Sequence, residues 1–425
     1  MSGPEQRSGI SAAITAAWLL TAVFYFYQYA MRSAPAVMMP DLTSAFGMSA
    51  VGIASLVGLF YWGYAPFSLV AGVAMDQVGP RAVVPMGAAC VAVGAMLFST
   101  GDTTLASIGR FLQGAGGVFA LIGAIYLVST YMPASRAATM IGFTQMFGMA
   151  GGSAGQFVVG PMIGSGVHWD AFWLWAGVIG VPIAIALFFL IPSKKAAEAK
   201  ARPSLGVALR GFGTVFANPQ SILCGLIAGL IFIPTTIFDM VWGVRFLEEA
   251  HKVEYSEAVL RSASVPFGWI IGCPLLGWIS DRIGRRKPVI FGALILLFLC
   301  LAMILFGPTN ILPPYALGLV TGIASGSAMI NYSVIKEANR PDLSGTATGV
   351  INFINFSMTA LFGPIFAKSL AAASGGGDRQ LVHYQDTFQP LLYGVALAFV
   401  LTFFLRETGP KARAPSAPAG ELATS

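Results

Sequence analysis

Twelve apolar stretches, most near the roughly 20 residues that carry an α-helix across a bilayer, constrain this chain more than any other feature. They fall near residues 14–38, 50–74, 82–100, 104–131, 137–163 and 170–191, then near 221–247, 257–280, 288–307, 312–337, 343–371 and 387–405. Lipid cannot satisfy backbone polar groups, so each stretch has to be helical, which predicts an all-α membrane protein with twelve transmembrane helices. Composition agrees. Of the 425 residues, 56% are hydrophobic and only 10% are Asp, Glu, Lys or Arg, against about 25% charged residues in soluble chains. Mean hydropathy is +0.75. Pro66, Pro182, Pro234 and Pro266 fall inside stretches and are read as bends rather than ends.

Six stretches precede and six follow the longest polar interruption. Residues 1–191 and 221–407 are therefore expected to form two six-helix domains, with 192–220 as a linker and 408–425 as a flexible tail. Lys194, Lys195, Lys200, Arg202 and Arg210 crowd the linker. If the chain crosses twelve times, they share one side with Arg7, Arg81, Arg136, Arg282, Arg285, Arg286, Lys287, Lys336, Arg340, Arg406, Lys411 and Arg413. Cytoplasmic loops carry such an excess. Both termini are thus placed in the cytoplasm, with the protein in a bacterial-type inner membrane. The net charge of +6 then reports topology; membrane lipid is an expected partner and nucleic acid is not.

Cys90, Cys224, Cys273 and Cys300 lie in apolar segments without CxxC or Cys/His spacing, so neither a metal site nor a disulfide framework is expected. No Ser/His/Asp set, paired boundary carboxylates or phosphate-binding Gly loop stands out. The chain is not read as an enzyme, and no cofactor is expected.

A short motif occurs twice. Gly72-Val-Ala-Met-Asp76-Gln-Val-Gly79-Pro-Arg81 follows the second stretch, and Gly277-Trp-Ile-Ser-Asp281-Arg282-Ile-Gly284-Arg285-Arg286-Lys287 follows the eighth. The two Asp residues are 205 apart, the spacing of the two six-helix blocks, as expected for parallel pseudo-symmetric halves. Each leading Gly permits close packing where a helix leaves the membrane. Each Asp can accept hydrogen bonds near a neighbouring helix N-terminus, with Arg81, Arg282, Arg285 and Arg286 available to bridge carboxylates or lipid phosphates. Such loops would hold one packing of the helices and break when they rock.

On these residues the chain resembles the major facilitator superfamily over essentially its whole membrane region. The second loop is similar to that family's signature loop; the first matches it in weaker form, with Gln77 and Pro80 where basic residues are common. Gly109-Arg110-Phe111-Leu112-Gln113-Gly114 resembles the family's helix-four arginine motif. The segment from Gly155 to Gly164 resembles a Gly-Pro motif associated with antiporters, with Gln156 in place of the usual Gly. Gly160-Pro161 is echoed by Gly363-Pro364, and both are read as hinges or helix-packing devices, with a marker of exchange as the alternative. The resemblance implies alternating-access secondary transport. It implicates Arg110, which shares a helix face with Gln113, in packing or proton coupling, with cargo binding as the alternative.

Tyr25, Gln28, Tyr29, Arg32 and Ala36 recur at helical spacing in the first stretch. A charge inside a bilayer needs a partner. Either Arg32 is structural, satisfied by neighbouring carbonyls or a distant side chain, or its guanidinium fork binds an anionic cargo, a carboxylate for preference; several organic-anion carriers of the resembled family place such an arginine here. Further candidates to line the cavity are Tyr61, Trp62 and Tyr64, and from the second half Trp242, Asn331, Tyr332, Asn352 and Asn355. The last two are suited to one oxygen-rich ligand, or equally to gluing helices together. For proton coupling the candidates are Asp239 and, near the cytoplasmic side, Glu337, with a structural ion pair as the alternative for either and a carboxylate of the cargo itself as an alternative titrating group. The expected function is proton-coupled symport of a small organic anion by a functional monomer. The alternative is an antiporter or exporter, and a more distant one is a solute sensor that does not transport.

Overall fold

Helix forms wherever the apolar stretches run, and it breaks where proline or glycine interrupts the backbone ladder. The computed structural model describes residues 11–48, 50–193, 205–308, 314–375 and 378–412. The first half comprises α1 (Ala12–Ser33), α2 (Met39–Phe46), α3 (Ala50–Gln77), α4 (Pro80–Phe98), α5 (Thr103–Tyr131), α6 (Ala137–Phe157), α7 (Val159–Gly164) and α8 (Trp169–Leu190). After α9 (Leu205–Ala217) the second half comprises α10 (Pro219–Ile233), α11 (Tyr255–Ile283), α12 (Lys287–Phe306), α13 (Pro314–Ser325), α14 (Ala328–Glu337), α15 (Ser344–Ala373) and α16 (Leu381–Phe404). Among the described residues, ten helical runs are long and apolar enough to cross a membrane. The more polar α1 and the broken α6–α7 pair complete twelve crossings.

Within the first half α5 packs on α3, α4 and α1, and α8 on α4; within the second, α10 packs on α15 and α16, and α13 on α11 and α12. The halves meet where α6 crosses α11 and where α3 crosses α15. α5 is buried without a break from Gly114 to Val128, as a helix apolar on all sides must be.

Several expected boundaries move. The first stretch does not run to residue 38: α1 ends at Ser33, and a 3₁₀ turn containing Pro35 leads into α2, which ends at Gly47 with a left-handed φ of 61°. Arg32 is consequently in the last turn of α1 rather than well inside it. The fifth stretch breaks at Val158 and the tenth at Gly326–Ser327. In the seventh, Pro234 has no N–H to continue the α ladder, and the helix widens into a π-helix over Pro234–Gly243. The linker is not loop throughout; its later part is α9, packed on α10 and α15, while residues 194–204 lie outside the described residues. The tail expected to be flexible begins by docking: the Lys411 N–H donates to the Gly284 carbonyl at 3.1 Å. Residues 413–425 lie outside the described residues.

Candidate cargo site and gates

At one end of the molecule the repeated loops fasten each half to the other. Asp76 accepts hydrogen bonds from the backbone N–H groups of Gly345 (2.8 Å) and Thr346 (2.6 Å) and from the Thr346 hydroxyl (2.6 Å), at the start of α15. Asp281 serves α6 in the same way, accepting from the Thr139 N–H (2.8 Å), the Thr139 hydroxyl (2.7 Å) and the Ala138 N–H (3.4 Å). A carboxylate here satisfies N–H groups that have no intrahelical partner and faces the positive end of the helix dipole. Hydrogen bonds to a charged group contribute about 1.5–3 kcal/mol each. The reach is short because the backbones touch. A Cβ at Gly72 would stand 2.6 Å from the Gly345 oxygen, and one at Gly277 would stand 2.4 Å from the Ala138 oxygen.

Behind Asp281 the second half adds a buried cation. Arg286 donates to Asp281 (2.6 Å) and to both oxygens of Glu337 (2.7 and 3.3 Å). Burial opposes its charge, but Glu337 and Asp281 outweigh that and hold its pKa above the ordinary arginine value. Glu407 accepts from the N–H groups of Arg286 (2.6 Å) and Lys287 (3.1 Å), and the Thr408 hydroxyl donates to Glu337 (2.7 Å). Arg81, the positional counterpart of Arg286, instead lies over the Phe188 ring at 5.4 Å. Arg282 stacks on Trp278 at 5.2 Å, and exposed Arg285 lends its carbonyl to the Ser280 hydroxyl. Lys336 of α14 donates to the Ser129 hydroxyl of α5, another bond between the halves.

Deeper in, Asn352 of α15 donates to the Ser68 hydroxyl of α3 at 2.8 Å; the Tyr332 hydroxyl donates to Asn352 Oδ1 at 3.1 Å, and Asn355 donates to that hydroxyl at 3.5 Å. Beside this chain Asn355 Oδ1 and, against Phe356, Tyr64 Oη are buried without a hydrogen-bond partner; so are Asn331 Oδ1 in α14 and, in the first half, Gln113 Nε2 beside Arg110 and both amide atoms of Gln28 against Gly117 of α5. Each such atom costs about 1–3 kcal/mol, so the interface favours a polar guest.

Arg32 stands among these groups. Its Nε donates to the Tyr61 hydroxyl at 3.2 Å, and its guanidinium lies 4.8 Å from the Tyr29 ring centroid, 4.9 Å from Tyr61, 5.8 Å from Phe60 and 5.3 Å from Phe356. One terminal nitrogen is buried and unpartnered. Ring faces offset part of the cost of a desolvated cation yet leave the planar fork available to a carboxylate. Phe356 is the one ring of the four from the second half, so both halves sense what occupies the cage. Arg110 differs. It is 1% exposed and donates to the Met31 carbonyl (3.2 Å), the Val57 carbonyl (3.5 Å) and Gln113 Oε1 (2.6 Å), beneath Phe60, Phe98 and Trp173. Those contacts tie α1, α3, α5 and α8 together.

Asp239 projects from the π-helix. Ser262 of α11 donates to its Oδ1 at 3.2 Å, while Oδ2 is buried with no partner. Trp242 stands further along, 5.3 Å from the Arg379 guanidinium and 5.9 Å from that of Arg245.

A sequence profile described as Major Facilitator Superfamily matches residues 21–364. The chain belongs to that superfamily. The hexuronate transporter of Bacillus subtilis is 24% identical over 372 residues, covering 82% of this chain and 85% of its own length. The cis,cis-muconate transport protein of Acinetobacter baylyi is 24% identical over 375 residues (82% and 86%), and the membrane sensor protein UhpC of Salmonella typhimurium 22% over 425 (93% and 91%). The fold superposes on the fucose:proton symporter FucP of Escherichia coli with a TM-score of 0.72 at 16% identity, covering 93% of this chain and all of that one. This is a membrane transporter of the superfamily, two six-helix halves spanning the bilayer, and not an enzyme.

Within that superfamily fold, the sequence candidates separate. Arg32, Tyr61, Tyr332, Asn352 and Asn355 gather between the halves, and Gln28 lies against Gly117 of α5. Tyr25 stands behind them: its ring packs edge-on against Tyr29 of the cage, centroids 4.8 Å apart, while its hydroxyl donates to Gln145 at 3.1 Å inside the first half. Trp242 belongs to the far end, and Trp62 is 74% exposed. The Gly-Pro pairs, read as hinges or helix-packing devices, make no close backbone approach: a Cβ at Gly160 would meet only an ordinary contact with Val37 at 3.6 Å, and one at Gly363 would meet nothing. Pro161 lies in α7 just past the break, and Pro364 sits within an unbroken α15. The close approach in this region is made by Gly151 and Gly155, where a Cβ would stand 2.1 Å from the Phe26 oxygen and 2.5 Å from the Ala30 oxygen of α1. Sequence reasoning missed Thr139 and Thr346, although both follow the motif Asp residues at nearly equal offsets. Ser68, Ser262 and Phe356 carry no local signal.

Proposed function

We propose that this transporter carries a small organic anion, a carboxylate, together with protons, by alternating access. The observation that carries the reading is the Arg32 guanidinium, held in an aromatic cage between the halves with one terminal nitrogen unpartnered. Two relatives named for hexuronate and cis,cis-muconate, both carboxylates, support it. Gln28, Tyr61, Tyr332, Asn352 and Asn355 complete the cargo site. Asp76 and Asp281, with Arg286, close one gate. The basic end bearing these loops faces the cytoplasm of an inner-membrane protein with both termini inside, so the closed gate leaves the cargo site turned outward. Residues 1–191 and 221–407 rock as two bodies joined by residues 192–220, in a functional monomer. Cargo bound to both halves stabilises the occluded state by its differential affinity for it.

The test is uptake of labelled glucuronate and cis,cis-muconate into proteoliposomes under separate pH and voltage gradients. Accumulation driven by an inward proton gradient and abolished in Arg32→Ala supports the reading. If no carboxylate is bound or moved, or if Arg32→Ala transports it unchanged, the reading is wrong. The break at Val158 beside Gly160-Pro161 favours a second reading, exchange, which would appear as uptake only against preloaded cargo. A cargo-dependent conformational change without flux would instead mark a sensor.

A further inference from the structure

Two separate cavities converge on Asp239. One, of about 100 Å³, lies within the second half and is lined by Phe238, Asp239, His251, Arg261, Ser262 and Thr321; Gly307 and Pro308 carry it up to the connection after α12. The other, of about 120 Å³, lies between the halves, where Tyr29, Ser153 and Phe157 of the first half face Asp239, Ser262 and Pro266 of the second. Asp239 and Ser262 form the wall common to both.

We propose that Asp239 is the proton-binding carboxyl of this carrier, and that its proton arrives through the cavity inside the second half, apart from the path of the cargo. The proposal rests on the proton-coupled reading above.

The geometry supports it in three ways. Among the described residues no cation pairs with Asp239; it has one hydroxyl partner, and Oδ2 is buried with none. A bare carboxylate oxygen in that setting is costly and is relieved by a proton. The π-helix is the second feature. Such widenings recur at functional sites, and this one turns Asp239 onto the boundary of the two cavities. The third concerns the surroundings. The charged or titratable groups facing Asp239 across the cavities are His251 and Arg261 on one side and Tyr29 on the other. Arg261 is held by Glu257 at 2.5 Å. Burial, then the nearby Arg261, keep the His251 pKa below the ordinary histidine value, so both oppose a charge on the imidazole beside this cavity. The lining from α6, α12 and α13 is not ionisable. A proton on Asp239 removes charge from the face that meets the first half. Loading is thereby linked to how the halves fit.

The test uses the full-length chain in liposomes. Dicyclohexylcarbodiimide, which reacts with protonated carboxyls in apolar sites, is expected to modify Asp239, as mapped by mass spectrometry, and labelling should fall at least about fivefold from mildly acidic to alkaline pH. Asp239→Asn should cut glucuronate accumulation driven by a pH gradient at least about tenfold while leaving glucuronate counterflow in place. Thr321→Cys blocked with a bulky thiol reagent should slow the labelling but not counterflow, with the wild type treated alike as control. Absence of labelling in the folded wild type, undiminished proton-driven uptake by Asp239→Asn, or protection by sodium at fixed pH would overturn the proton assignment. Unslowed labelling in blocked Thr321→Cys would overturn the separate route. Should the wild type move neither glucuronate nor cis,cis-muconate, the anion reading fails alone, because the labelling needs no cargo.

Discussion

Asp76 accepts two hydrogen bonds from Thr346, from its N–H and from its hydroxyl, each at 2.6 Å, and so fastens the end of α3 to the start of α15. Asp281 and Thr139 repeat the arrangement between α11 and α6. The two clasps act at one end only, so weakening either should open that end. Asp76→Asn keeps the shape but loses the charge assistance, about 1.5 kcal/mol, or roughly a tenfold shift toward the open state. Spin labels at Arg136→Cys and Arg340→Cys, with the native cysteines replaced, should report a longer distance. An unchanged distance distribution would mean that the clasp does not gate.

The second clasp rests on a buried ion triad. Glu337→Gln would leave Arg286, fully buried, with Asp281 as its remaining carboxylate, and should destabilise the protein by about 3 kcal/mol, read as a lowered Tm in detergent. Arg81→Ala, whose guanidinium lies over Phe188, should change stability by less than about 1 kcal/mol.

Charge alone should not suffice at position 32. Arg32→Lys keeps the cation but loses the planar fork that fits a carboxylate, and the KM for a transported carboxylate should rise about tenfold, or 1.4 kcal/mol. Phe356→Leu should raise it by a smaller factor, since a single cation–π contact contributes about 0.5–1 kcal/mol. Initial uptake rates across a concentration series measure both.

Two glycines of similar appearance should respond in opposite ways. Gly72→Ala places a Cβ 2.6 Å from a backbone oxygen of the other half, which cannot yield as a side chain can, and should hold the gate ajar. Gly363→Ala meets open space and should be neutral or stabilising by up to about 1 kcal/mol. Comparing Tm with the label distances separates lost folding from lost closure.

Much of the fold was legible because the bilayer imposes one solution on an apolar stretch. The repeated Gly-Asp-Gly loops were legible because close backbone approach and helix capping demand particular residues at particular places. Boundaries were less so. Pro35 shortened α1, Pro234 opened a π-helix, and α9 arose inside the segment read as a linker. Arg32 was identifiable as a charge that needs a reason to lie in lipid. Tyr25 shares its face and packs on Tyr29 of the cage, yet its hydroxyl donates to Gln145, 120 residues away; spacing along one helix cannot reveal a partner on another.

The sequence by itself determined the class of the molecule, its two halves and the glycine and aspartate of each clasp, because hydropathy, helical period and a local motif are properties of neighbouring residues. Only the tertiary structure decided that Asp76 meets Thr346, that Phe356 completes the cage around Arg32, and that Asp239 divides two cavities. Each of these joins groups from separate helices, and the distance between helices is set by the packing of the whole bundle.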